Sequence, residues 1–97
     1  MAPILSFVRG VVPAAAVGDV VERYRAGLAV ERPEGLEASW LLRGADGTVA
    51  VATLWRDPAA LDALRASGEE PFARRLIREA GGSPSAEFFD VLESASD

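Results

Sequence analysis

The chain has 97 residues, 49% of them hydrophobic, and carries a formal charge of −5 from 15 acidic and 10 basic side chains. This is enough for one domain over residues 1–97 that buries about 60–65% of its unfolded surface, a size at which oligomerisation helps stability. Cysteine, histidine, asparagine, glutamine and lysine are all absent, and every basic residue is arginine. That composition excludes disulfides, thiolate chemistry, an imidazole base, a Schiff-base lysine and histidine ligands to a metal. The acidic balance and scattered arginines argue against a nucleic-acid partner. No apolar run is long enough to span a bilayer.

Ile4–Val12 (ILSFVRGVV) reads as a first strand, closed by Pro13. Met1–Val21 raises the question of an export signal, with Ala14-Ala15-Ala16 as its cleavage site. It lacks a basic start, Arg9 interrupts the apolar run, and cleavage would delete a strand, so the expectation is a cytoplasmic protein. Ala14–Glu31 reads as a helix. Val17, Val20, Val21, Tyr24 and Leu28 form one apolar stripe along it. Arg32-Pro33-Glu34-Gly35 is a turn. Leu36–Arg43 and Thr48–Arg56 then read as a hairpin about Asp46-Gly47, a dipeptide that accepts positive φ.

A loop of two or four residues would place Ala38, Trp40, Leu42, Val51, Thr53 and Trp55 on one face of that hairpin; a three-residue loop would break this parity. Neither face is polar in its middle, so both are expected to be covered, one by the chain's own helices and the other by a second copy. Asp57-Pro58 is a helix start, a good N-cap followed by a good first-turn residue. Leu61 and Leu64 follow at helical spacing. Ser67-Gly68 interrupts, and Glu70-Pro71 starts a second helical segment that carries Phe72, Leu76 and Ala80 on one face and ends at Gly81-Gly82. Ala86–Leu92 (AEFFDVL) reads as the last strand, and Glu93–Asp97 as a fraying tail.

The order βαββαβ predicts a ferredoxin-like α+β domain: a four-stranded antiparallel sheet with its helices on one face. Two such sheets packed face to face would make a dimeric α/β barrel. Pro33–Leu36 leading to Trp40, the turn at Asp46-Gly47, VAVATLWRDPAAL at Val49–Leu61, and Phe72 followed by a helix, Gly81-Gly82 and a short aromatic strand together resemble the antibiotic biosynthesis monooxygenase (ABM) domain. The resemblance covers nearly the whole chain and implies a homodimer.

That family includes enzymes that oxidise polyketide aromatics without a cofactor, and others that degrade haem. The haem-degrading branch uses a histidine on the second helix, which would fall near Arg75 or Leu76 here, and an asparagine on the first strand, near Ser6 or Val8. Neither residue type occurs. The resemblance therefore implies a cofactor-independent monooxygenase acting on a flat aromatic, polyketide- or quinol-like molecule. Two alternatives stay open: a non-catalytic binding or assembly module, or a non-oxidative cyclase or isomerase.

Trp40, Trp55, Tyr24 and Phe72 are the candidate pocket lining, with Arg43 or Arg75 as polar contact. The two tryptophans and Tyr24 serve equally as core residues. Arg9 and Arg43 serve equally as partners for carboxylates at a dimer interface, and Arg74, Arg75 and Arg78 as a solvated helix face. No phosphate loop, zinc spacing or paired catalytic carboxylates are present, so no metal or other cofactor is expected. The expected partners are a second copy of the chain and a small aromatic molecule.

Overall fold

A computed structural model describes residues 3–30 and 32–95. Its elements are β1 (Ile4–Val11), α1 (Val17–Val30), β2 (Leu36–Arg43), β3 (Thr48–Trp55), α2 (Pro58–Ala66), α3 (Phe72–Glu79) and β4 (Ser85–Asp90). The expected first helix opens as a 3-10 turn over Ala14–Ala16 before α1 proper. Glu31, its expected last residue, lies outside the described residues, as do Ser96 and Asp97 of the expected tail. The strands pair antiparallel in the order β2-β3-β1-β4. This is the ferredoxin-like α+β arrangement, with the helices packed on one face of the sheet.

The hairpin parity differs from the expected one. Trp40 pairs with Ala52 and Leu41 with Val51. Asp46 (φ 55°) and Gly47 (φ 80°) do form a tight turn with both central residues left-handed, closed by the Thr48 N–H donating to the Ala45 carbonyl at 3.1 Å. But the Gly44 N–H also donates to the Thr48 carbonyl, at 2.9 Å. Gly44 and Ala45 thus both stand opposite Thr48, a bulge that adds one residue to β2. A one-residue shift turns every side chain to the other face. Leu36, Ser39 and Leu41 therefore share the helix side with Val51, Thr53 and Trp55, while Ala38, Trp40 and Leu42 face outward. A second irregularity at Glu37 lets Leu36 pair with Trp55 while Ala38 pairs with Leu54.

Three apolar clusters fill the space between sheet and helices. Val8, Val12 and Val49 surround Ile77, which is fully buried. Val20 of α1 meets Val51 and Leu76. Trp55 packs with Ala60 and Leu61 of α2, and Leu36 reaches this cluster because of the irregularity at Glu37. Among the described residues, no helix is long and apolar enough to cross a membrane.

The hinge between sheet and α2 is Asp57. Its carboxylate accepts the Ala60 backbone N–H at 3.0 Å, and Pro58 occupies the first helical turn. That bond, aided by the neighbouring Arg56, holds the Asp57 carboxyl below its ordinary pKa despite some opposing desolvation. A carboxyl lowered by folding stabilises the fold above its unfolded pKa of 3.8, and the contribution fades as pH falls through the folded value. Asp57→Ala is therefore expected to lower the thermal midpoint by a constant amount from neutral pH down to about pH 5. The gap to wild type should close in more acid solution, as followed by circular dichroism melts.

Candidate functional site

The space that the core clusters leave open is a cavity of about 340 Å³ between the helix side of the sheet and the α2–α3 segment. Its walls are apolar, with Trp55, Leu61, Leu64 and Phe72 among them. The volume falls at the lower end of the range for small-molecule sites. Trp55 is only 5% exposed, and its indole N–H donates to Ser6 Oγ at 2.9 Å. Phe72 sits against α1, its ring 6.4 Å from that of Tyr24. Gly27 leaves the space that the Phe72 ring fills.

The cavity floor carries a transverse row of hydroxyls. Ser6 of β1 pairs with Thr53 of β3, which pairs with Ser39 of β2, and all three line the cavity. The Tyr24 hydroxyl donates to Ser39 Oγ at 2.8 Å. Ser39 Oγ and Thr53 Oγ1 lie 3.4 Å apart, a long contact for two hydroxyls.

The proton directions follow from the donor inventory. An indole N–H can only donate, so Ser6 accepts from Trp55 and keeps its own proton free. Ser39 accepts from Tyr24 and can turn its proton to Thr53, whose own proton is then free as well. The floor thus offers two hydroxyl donors, Ser6 and Thr53, beneath an otherwise apolar chamber. Such an arrangement suits a carbonyl oxygen or an oxyanion.

The remaining candidates are placed as follows. Trp40 lies on the opposite side of the sheet and is 49% exposed, the direct result of the bulge at Gly44-Ala45. Tyr24 stands behind the cavity and reaches it through Ser39. Arg43 borders a separate hollow of about 190 Å³ between α1 and β2. The Arg75 guanidinium lies 5.8 Å from the centre of the Phe72 ring without lining the chamber.

Five polar side chains that line the chamber stand outside the expected set: Ser6, Ser39, Thr53, Arg65 and Arg74. The hydroxyls carried a signal. ILSFVRGV, LEASWLLR and TVAVATLW are apolar strands that each carry a Ser or Thr away from their ends, at Ser6, Ser39 and Thr53. Among the described residues no cluster of carboxylates could hold a metal ion.

No family model and no curated protein matches the sequence. Solved structures do match. SnoaB from Streptomyces nogalater, a cofactor-independent oxygenase, superposes with a TM-score of 0.68 at 20% identity over the whole of both chains. A candidate antibiotic biosynthesis monooxygenase from Caulobacter crescentus gives 0.66 at 20% identity, over 95% of this chain and 92% of that one. The chain has the antibiotic biosynthesis monooxygenase fold. The haem degrader MhuD from Mycobacterium tuberculosis, solved with two haems in its active site, shares the fold with a TM-score of 0.69 at 20% identity, over 96% and 99% of the two chains. ABM-fold structures thus serve more than one chemistry, and the fold by itself does not choose between them.

A methyl group on Gly27 would overlap the Phe72 ring. Gly27→Ala should therefore drive that ring into the cavity. The gain in helix propensity is about 1 kcal/mol, and overpacking costs about 1–3 kcal/mol. Stability is thus expected to change little or to fall modestly. Affinity for a naphthol-sized probe, measured by titration calorimetry, should fall clearly, because the ring takes volume from the chamber.

Proposed function

We propose that this protein is a cofactor-independent monooxygenase of the ABM type that takes a flat aromatic, polyketide- or quinol-like molecule into the cavity above the hydroxyl row. The observation that carries this reading is the chemistry of that cavity: about 340 Å³ of apolar space with Ser6 and Thr53 as donors at its floor. The cofactor-independent oxygenase activity of SnoaB, which has the same fold, supports it.

In this reading Trp55 and Phe72 hold the ring system, and an acceptor oxygen of the substrate rests on the two floor hydroxyls. Tyr24 orients Ser39 and, through it, Thr53. The substrate ionises by its own acidity, its proton passing to water. The carbanion gives one electron to O₂, the radical pair joins carbon to oxygen as a peroxide anion, and a proton returned from water makes the hydroperoxide. Loss of water then leaves a carbonyl, so that CH₂ and O₂ become C=O and H₂O. The chain supplies orientation, exclusion of water and stabilisation of the charge on the substrate oxygen.

The protein is read further as a cytoplasmic homodimer that stacks the outer sheet faces. Trp40, Leu42 and Phe89 stand exposed there around the nearly buried Ala50 and Ala52. Arg9, which faces the same side, is already paired with Glu87 of β4, so that pair adds no net charge to oppose stacking. Light scattering at micromolar concentration should give twice the chain mass for wild type and the chain mass for Trp40→Asp, which leaves the cavity side intact.

A second reading, a non-catalytic binding module, is favoured by one observation. The cavity walls include no carboxylate, so no protein base stands there to take the proton that a cyclase, an isomerase or the carbanion of the oxidative route must release.

Hydroxyanthrones and naphthols incubated with and without oxygen separate these readings. Oxygen-dependent quinone formation above the buffer rate, reduced about 100-fold in Thr53→Val, is the expected result, since deleting one donor to a developing oxyanion costs about that much. Saturable quenching of tryptophan fluorescence without turnover would replace the enzyme by the binding module. Absence of both responses would remove the small-molecule reading.

A further inference from the structure

We propose that the ligand of this cavity is an aromatic acid whose carboxylate is held on the helix side of the lining by Arg65 and Arg74. The proposal rests on the reading of the cavity as a small-molecule site, and it adds a charge requirement that neither the fold nor the apolar walls impose. The lining has two chemically different sides. The sheet offers neutral hydroxyls. On the helix side the last turn of α2 and the first turn of α3 each contribute one arginine, Arg65 and Arg74.

Neither cation is well neutralised by the chain. Arg65 reaches Asp62 only at 3.9 Å, the outer limit of an ion pair. Among the described residues Arg74 has no carboxylate within 4.0 Å. Arg23 and Arg78, by contrast, hold Glu79 and Glu70 at 2.7 Å. Glu70, whose charge is felt by Arg74, is taken up by Arg78 through three contacts of 2.7–3.1 Å. Its charge is therefore largely spent on Arg78 rather than on Arg74.

Arg65 is also posed for a ligand. Its Cζ lies 4.5 Å from the centre of the Phe88 ring, and Phe88 itself lines the cavity. A planar guanidinium stacked on an aromatic face keeps its N–H edge free, and that edge fits a carboxylate in bidentate fashion. Two guanidinium groups beside an apolar chamber thus favour a flat ring system that carries an anion at one end and an acceptor oxygen at the other. A chain with a net charge of −5 would otherwise disfavour an anionic ligand at long range, so the preference has to come from these local cations.

Titration calorimetry with 2-naphthoate and with neutral 2-naphthalenemethanol tests this. Wild type is expected to bind the acid at least about tenfold more tightly than the alcohol, with a preference that shrinks as salt is raised. Arg74→Gln should lose most of that preference while binding the alcohol unchanged, and Arg65→Gln/Arg74→Gln should lose all of it. Arg43→Gln, away from the chamber, should keep it. Equal affinity of wild type for acid and alcohol would overturn the charge requirement and leave the small-molecule reading standing. Survival of the preference in the double variant would overturn the assignment to these two residues. Failure of both probes to bind would remove the proposal together with the reading it rests on.

Discussion

The surplus residue at Gly44-Ala45 governs the chemistry of the whole molecule. Side chains alternate between the faces of a strand, so one added residue decides which half of β2 meets the helices. With it, Ser39 turns inward beside Thr53 and Trp40 turns out. Without it, a large indole would stand where the hydroxyl row continues, and the chamber would be filled. The irregularity at Glu37 completes the effect by returning Leu36 to the helix side, where it packs against Trp55 and Leu61. The cavity thus exists because β2 is locally out of step with β3.

Burial then determines what the inward polar groups must do. Ser6 and Thr53 are buried on the helix side of the sheet, and a buried hydroxyl without a partner would cost roughly 1–3 kcal/mol. Trp55 satisfies Ser6, Ser39 lies beside Thr53, and Tyr24 anchors Ser39 from α1. Every buried side-chain polar atom among the described residues is paired. Trp55 and Tyr24 act as donors in these contacts, so the hydroxyls on the lining keep donor capacity for a ligand, and the network that satisfies the core also prepares the floor of the chamber. The two sides of the sheet are in this way specialised: a polar-floored cavity under the helices, and an apolar outer face bearing Trp40 and Phe89.

Most of the architecture was legible along the chain. Asp57-Pro58 marked α2, the break at Ser67-Gly68 separated it from α3, and the stripe through Val20 and Tyr24 marked the inner side of α1. These signals are local: a cap, a positive φ, a helical repeat. Trp55 and Phe72 were legible as large apolar residues on inward positions, and the structure lines the cavity with both. Trp40 was not separable from Trp55, because both lie in apolar runs and only the loop count distinguishes their faces. Arg74 read as part of a solvated helix face, and Arg65 drew no reading at all. Their place on the lining of one cavity depends on how α2 and α3 are folded against the sheet.

The sequence by itself determined the element order, the antiparallel βαββαβ plan, the turn residues and the absence of imidazole, thiol and amine chemistry, because composition and short-range sterics suffice for these. The tertiary structure decided the register of β2 on β3, the side of the sheet on which each aromatic lies, the union of Ser6, Thr53 and Ser39 in one row, and the placement of Arg65 and Arg74 on the lining of one cavity. Each of these depends on contacts between residues far apart in the chain. Their geometry is set by which backbone groups pair across strands and how helices settle on a face, and no spacing within one segment encodes that.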